Sequence, residues 1–164
     1  MGSGLFSCVF AQASPGGITR AVVQRVKRCK VSIEGTEVAA TGPGLLVLLG
    51  VARGDAEPEA LYLADKVLNL RIFPDADGRM NLSVLESGGE LMVVSQFTLL
   101  ADTRKGRRPS FIAAADPPEA ERLYLRFVEL LSGSGARVAT GEFGAMMTVS
   151  LDNWGPVTLV VDSR

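Results

Sequence analysis

Two kinds of apolar pattern run along the chain, and the switches between them mark its elements. From Arg20 to Ile33 the apolar residues Val22, Val23 and Val26 give way to Cys29, Val31 and Ile33. The in-and-out alternation of a strand therefore changes phase between Val26 and Cys29, which a bulge explains. Glu34-Gly35 reads as a turn into Thr36–Ala40. Gly42-Pro43-Gly44 then introduces Leu45–Val51, an unbroken apolar run that fits a strand buried on both faces. Ala60, Leu61, Ala64, Val67 and Leu68 recur at helical spacing, with Asp55, Glu57 and Glu59 where a helix N-terminus favours anions.

After a strand-like Leu70–Phe73, a turn at Asp75–Gly78 and a linker through Ser83, the pattern predicts a buried strand over Leu91–Leu100 whose end turns polar. The second helix is signalled at both ends. Asp116 is its expected cap, Pro117 fits the first turn, Glu119 completes a capping box and Gly133 stops it. Its apolar face is Ala120, Leu123, Tyr124, Phe127, Val128 and Leu131. Three strands are expected next: Arg137–Thr140, Ala145–Leu151 and Val157–Val161. The last two flank Asn153-Trp154-Gly155-Pro156, whose residues suit a hairpin loop. The expected order is β-β-β-α-β-α-β-β-β. That order implies an α/β fold with helices on one face of the sheet and a second sheet layer or a dimer partner on the other.

Length and charge narrow this further. The 164 residues suit one domain, and the patterned strand at Arg20 places it at residues 20–164. Residues 1–19 are expected to be a disordered extension or a leader: Met1–Ile18 has no charged side chain, and its apolar stretch is a weak leader without a basic start. Apolar runs such as Gly44–Ala52 fall short of the roughly 20 residues that span a bilayer. Net charge is −1, so contact with nucleic acid requires a local patch. One exists: Arg104, Lys105, Arg107 and Arg108 put four cations into five positions. Such runs commonly form solvated loops, but this one directly follows the polar strand end, a placement that favours RNA contact.

Candidate chemistry is limited by what is missing. There is no histidine, which excludes Ser-His and Cys-His relays and the usual zinc hydrolase ligand sets. Cys8 and Cys29 are the only cysteines, too few for a disulfide framework or a four-ligand metal site, and this suits the reducing cytoplasm. Cys29 shares the inward phase of Val31 and Ile33 and reads as a small buried hydrophobe. No cofactor and no metal are expected. Ser95-Gln96-Phe97-Thr98-Leu99 lies where an apolar strand ends, the common place for ligands in α/β sheets. As a nucleophile Ser95 would need a lysine base, Lys66 or Lys105, for which the spacing offers no argument.

Five segments together resemble the D-aminoacyl-tRNA deacylase family. They are Arg20-Ala21-Val22-Val23-Gln24-Arg25-Val26, Leu68-Asn69-Leu70-Arg71-Ile72-Phe73, the pentapeptide from Ser95, Phe143-Gly144-Ala145, and Gly155-Pro156-Val157-Thr158. The resemblance implies an ester hydrolase that removes D-amino acids, and glycine, from tRNA. It implies a homodimer in which a cis Gly155–Pro156 of one subunit reaches the Ser95, Gln96, Phe97 and Thr98 pocket of the other. Backbone N–H groups around Phe97 and Thr98 would then stabilise the oxyanion, Gly155 and Pro156 would act as a chiral filter, and Arg104, Lys105, Arg107 and Arg108 would hold tRNA. Trp154 stands where relatives often have Asp. A sister deacylase that clears L-alanine departs from Ser-Gln-Phe-Thr, so Ser95 and Phe97 separate the two branches. A non-catalytic nucleic-acid-binding module built on the basic loop is the competing class.

Overall fold

The computed structural model describes residues 17–164. In chain order the elements are β1 (Arg20–Ile33), β2 (Thr36–Thr41), β3 (Gly44–Gly50), α1 (Glu57–Asn69), β4 (Phe73–Pro74), β5 (Met80–Leu82), β6 (Glu90–Ser95), α2 (Pro117–Ser132), β7 (Val138–Thr140) and β8 (Thr148–Asp162). The candidate leader within residues 1–16 lies outside the described residues. Among those described, no helix is long and apolar enough to cross a membrane.

One sheet runs β2-β1-β3-β6-β7, with β8 along the other edge of β1. β3, β6 and β7 are parallel neighbours, and each parallel step needs a crossover, which α1 and α2 supply. Both helices therefore cover the same face. Leu45, Val47, Leu49, Leu91 and Val93 meet Leu63, Val67, Leu123, Phe127 and Leu131 there. The intervening residues Leu46, Met92 and Val94 point the other way and pack on Val26, Cys29 and Val31, flanked by Met147, Val149 and Leu151. The second layer is thus the same sheet folded over, built from the far half of β1 and the near half of β8. This is why Leu45–Val51 and Leu91–Val94 read as continuous apolar runs: each has a core on both sides.

β1 serves both layers. Ala21 and Val23 belong to the helix-side core, Val26, Cys29 and Val31 to the other. The expected bulge is present, with Lys27 as the extra residue between the pairs Val26↔Asn153 and Arg28↔Asp152. Cys29 is 2% exposed, and desolvation pushes its thiol up to about 11, so it is a packing residue and not a reactive one.

Four details differ from the pattern reading. The strand expected over Leu91–Leu100 stops at Ser95, because its neighbour β3 ends at Gly50 and leaves no further ladder; Phe97–Leu100 forms a 3₁₀ turn instead. Ala145–Leu151 and Val157–Val161 are not the arms of a hairpin. Thr148–Leu151 of the first and all of the second lie along β1 in the single strand β8, because β1 is long enough to pair with each, while Ala145–Met147 precede the strand. Of the Leu70–Phe73 segment only Phe73 joins a strand, in a two-stranded ribbon with β5. Asp116 sits at the start of α2 but makes no side-chain cap. Its carboxylate is engaged by the Arg53 guanidinium at 3.1 and 3.3 Å, a charge-assisted contact that outcompetes a backbone N–H. The reach-back by a Glu three residues after the cap occurs at α1, where Glu59 accepts from the Ala56 N–H at 2.8 Å.

Tyr124 ties α2 to the sheet, its buried hydroxyl donating to the Val93 carbonyl at 2.9 Å. Burial pushes that phenol up to about 12, so it stays a donor throughout the neutral range. Tyr124→Phe is expected to lower unfolding free energy by about 0.5–1.5 kcal/mol, read from the urea midpoint at unchanged m-value.

Candidate active site

Ser95 closes β6 beside Leu49, so the segment that follows leaves the sheet at the carboxyl end of two parallel strands. The Gln96 N–H donates to the Leu49 carbonyl at 2.8 Å, and its own carbonyl accepts from the Leu99 N–H at 3.2 Å. That bond opens the 3₁₀ turn. The N–H groups of Phe97 and Thr98 have no backbone partner among the described residues and are available to an incoming oxygen. The Gln96 amide donates to the Thr98 hydroxyl, which fixes both side chains on the outer surface of the turn. Phe97 is 54% exposed and meets Phe111 edge-on, with ring centroids 5.1 Å apart. The two rings form an apolar wall beside the free N–H groups.

Gly50 makes this turn possible. A Cβ there would lie 2.4 Å from Leu100 Cδ2 and 2.8 Å from the Gln96 carbonyl oxygen, so any larger residue displaces the turn. The pattern reading missed Gly50 because a glycine closing a strand has many ordinary explanations.

Ser95 has no hydrogen bond to Lys66 or Lys105 among the described residues. Lys66 lies in the last turn of α1, with its ammonium 5.6 Å from the Tyr62 ring. α1 returns from the β3 terminus to the opposite end of the sheet, so Lys66 is far from Ser95. No group of three or more carboxylate or thiol side chains converges on a metal-sized site among the described residues.

The basic loop follows directly. Asp102 and Ser110 exchange backbone hydrogen bonds at 2.8 and 2.9 Å, pinching the seven residues between them into an exposed loop. Arg104 folds back on Asp102 with bonds of 2.9 and 2.7 Å, and this holds the Asp102 carboxyl down at about 2. One of the four cations is thus committed to closing the loop. Lys105, Arg107 and Arg108 make no ion pair among the described residues and face solvent.

Gly155 and Pro156 lie elsewhere. β1 and β8 pair Gln24 with Thr158 and Val26 with Asn153, so Arg25 alone stands opposite Trp154, Gly155, Pro156 and Val157. The surplus residues bow out of the strand and expose Gly155 and Pro156, whose peptide bond is cis. Asn153 ties the base of the bow: its Oδ1 accepts from the Val157 N–H at 2.9 Å and its amide donates to Thr158 Oγ1 at 3.2 Å. Gly155 has φ +140°, and a Cβ on it would lie 2.7 Å from Val157 Cγ2. Only glycine fits without distortion.

Arg25 is the second residue the pattern reading left without a role, although it lies inside a quoted motif. It is 7% exposed. Its Nε donates to the Trp154 carbonyl at 2.8 Å and its Nη1 to the Ile72 carbonyl at 2.6 Å. Desolvation lowers its pKa, but an arginine retains its charge regardless. The available signal was its place on the buried phase of a strand, where a cation requires partners.

The two motifs do not meet within one chain. Arg25 pairs with Leu45 at the start of β3, whereas Ser95 pairs with Leu49 near its end. Four residues of strand separate those levels by about 13 Å, and three steps across the sheet add roughly 14 Å sideways.

The comparisons agree with this architecture. The family model described as D-Tyr-tRNA(Tyr) deacylase matches residues 22–162. The chain belongs to that family. A relative in Dehalococcoides mccartyi named D-aminoacyl-tRNA deacylase is 59% identical over 145 residues, covering 88% of this chain and 95% of its own length. Among solved structures, one titled c-Myc DNA Unwinding Element Binding Protein shares 40% identity with TM-score 0.84 over 88% of this chain and 99% of its own. Another, titled as a probable eukaryotic D-amino acid tRNA deacylase, shares the family fold at 22% identity and TM-score 0.75, covering 88% of this chain and 99% of its own. The family match spans both the Ser95 segment and Gly155–Pro156.

Gly50→Ala is expected to cost about 1–3 kcal/mol by overpacking. Equilibrium denaturation measures it, and the shift should exceed that of Gly78→Ala, a glycine whose Cβ would meet nothing but whose left-handed φ still adds strain.

Proposed function

We propose that the protein hydrolyses the ester bond of D-aminoacyl-tRNA, and of glycyl-tRNA, releasing free amino acid and tRNA. The observation that carries the reading is the separation of two exposed motifs on opposite ends of one sheet. Each is held rigidly, and neither is complete alone. Two copies of the chain joined so that Gly155–Pro156 of one enters the Ser95–Thr98 cleft of the other would make a closed pocket. Family membership supports the reaction, and the homodimer is the assembly that reaction requires here.

Within such a pocket the protein acts mainly by position. The aminoacyl ester is already activated, so the barrier is lowered by stabilising the oxygen that gains charge as water adds to the carbonyl. The free N–H groups of Phe97 and Thr98 are suited to that oxygen, and one such donor is worth ~10²–10³ in rate. The 2′-hydroxyl of the terminal adenosine orients the water, so no histidine is needed. Gly155 and Pro156 fill the space that an L side chain would occupy, while a main-chain carbonyl of the motif accepts from the substrate ammonium. Selection therefore works by exclusion, and glycine passes because it has nothing to exclude. Lys105, Arg107 and Arg108 meet the phosphates of the acceptor end, with Arg104 shaping their loop.

A second reading has a specific observation behind it: one similar structure is titled a DNA-unwinding-element binding protein. In that case the basic loop binds nucleic acid and no ester is cleaved. Hydrolysis assays decide. Purified protein should deacylate D-tyrosyl-tRNA and spare L-tyrosyl-tRNA, and Pro156→Ala should lose rate, stereoselectivity or both. Salt-dependent tRNA binding with D-tyrosyl-tRNA left intact would establish the binding module instead. Replacing Lys105, Arg107 and Arg108 together with Ala should flatten the dependence of log affinity on log salt by roughly two to three units of slope, measured by tRNA titration.

A further inference from the structure

The bow that carries Gly155 and Pro156 is matched by an irregularity in the strand facing it. β8 has surplus residues opposite Arg25, and β1 has a surplus residue, Lys27, one step along. A bulge re-aims the side chain it carries. Here it turns Lys27 onto Trp154, with the ammonium 3.8 Å from the ring centroid. The Arg25 guanidinium lies 4.4 Å from the same ring, and Phe73 meets it edge-on at 6.2 Å. Trp154 is the chain's only tryptophan and directly precedes Gly155.

We infer that Lys27 and Trp154 are a positioning pair for Gly155–Pro156, setting how sharply the filter separates D from L substrates. The inference rests on the deacylase reading. The bow has two anchors on β1, not one. Arg25 holds the Trp154 carbonyl from within, and its Nη2 lies 3.2 Å from where a Gly155 Cβ would be. Lys27 holds the indole from the solvent side. A ring held by both cations and by Phe73 leaves the following residue little freedom to swing, and a filter that excludes by shape discriminates only as far as it cannot yield. Neither residue touches substrate in this scheme, so both act through the placement of the Gly155 and Pro156 main chain.

The test compares kcat and KM for D- and L-tyrosyl-tRNA in the wild type, Lys27→Ala, Lys27→Arg, Trp154→Phe and Trp154→Ala, with L hydrolysis followed at high enzyme concentration. An exposed cation–π contact is worth about 0.5–1 kcal/mol, so Lys27→Ala should narrow the D-to-L ratio of kcat/KM by about two- to five-fold. Lys27→Arg should restore it, and Trp154→Phe should narrow it less than Trp154→Ala. Acrylamide quenching of Trp154 should rise in Lys27→Ala and not in Lys27→Arg. Lys27 is exposed, so its variants test the pair even where Trp154→Ala fails to fold. A wild-type ratio in Lys27→Ala overturns the inference while leaving the deacylase reading standing. So does an equal loss for D and L substrates that appears in KM and fades with salt, because that marks Lys27 as an RNA contact. A wild type that spares D-tyrosyl-tRNA overturns the deacylase reading, and the inference with it.

Discussion

Arg25 is a charge the fold has to accommodate, and much of the molecule is arranged around it. A guanidinium that is 7% exposed costs several kcal/mol unless its donors are used. Here they are spent on two main-chain carbonyls, those of Trp154 and Ile72. The first belongs to the bow in β8, the second to the segment that enters the ribbon after α1. Satisfying one buried cation therefore fastens the base of the Gly155–Pro156 projection to the sheet and to the end of the first crossover. A substitution that removed the guanidinium would release both carbonyls and the face of the indole. An isolated hairpin loop at the same residues would have no such anchor.

The parallel strands impose the complementary constraint. Because β3 and β6 run the same way, both finish at one end of the sheet, and the Ser95 segment must leave from there. Because β1 is antiparallel to β3 and to β8, the bow opposite Arg25 falls at the level where β3 begins. No loop movement of ordinary size brings the two ends together, since the strand between them is buried on both faces and closely packed. The separation of the two motifs within one copy follows from strand direction, before any interface is considered.

Much of this was legible in the residues, and the misses share one cause. The double-sided burial of Leu45–Val51, the two helices, the inward Cys29 and the bulge in β1 are local patterns, and each holds. The failures concern residues whose conformation is decided by a distant neighbour. Asn153-Trp154-Gly155-Pro156 has the composition of a turn, and only the length of β1 reveals that the chain resumes the same strand after it. Leu91–Leu100 stays apolar past Ser95, and only the end of β3 at Gly50 stops the ladder. Asp116 is a good cap until Arg53 reaches it. Arg25, Gly50 and Asp102 were visible as letters, but the roles of the first two depend on partners tens of residues away, as far as 129 for Arg25 and Trp154, and that of Asp102 on a side chain folding back within the loop.

The distribution of charge around the Ser95 turn fits a site that works through its main chain. Ser95, Gln96, Phe97 and Thr98 are neutral, and the nearest carboxylate in sequence, Asp102, is neutralised by Arg104. The remaining cations sit on the exposed loop, where solvent screens them from the turn but not from a polyanion that displaces that solvent. A substrate bearing phosphates would thus be drawn to the rim and meet an uncharged interior, in which two unpaired N–H groups are the strongest donors beside an aromatic wall. Under the proposed reaction such an interior would give its stabilisation to charge that appears during the reaction and little to charge already present in the ground state, which is the condition for lowering a barrier and not merely binding. The lack of histidine is then no deficit, because nothing in this arrangement calls for a side chain that changes its protonation.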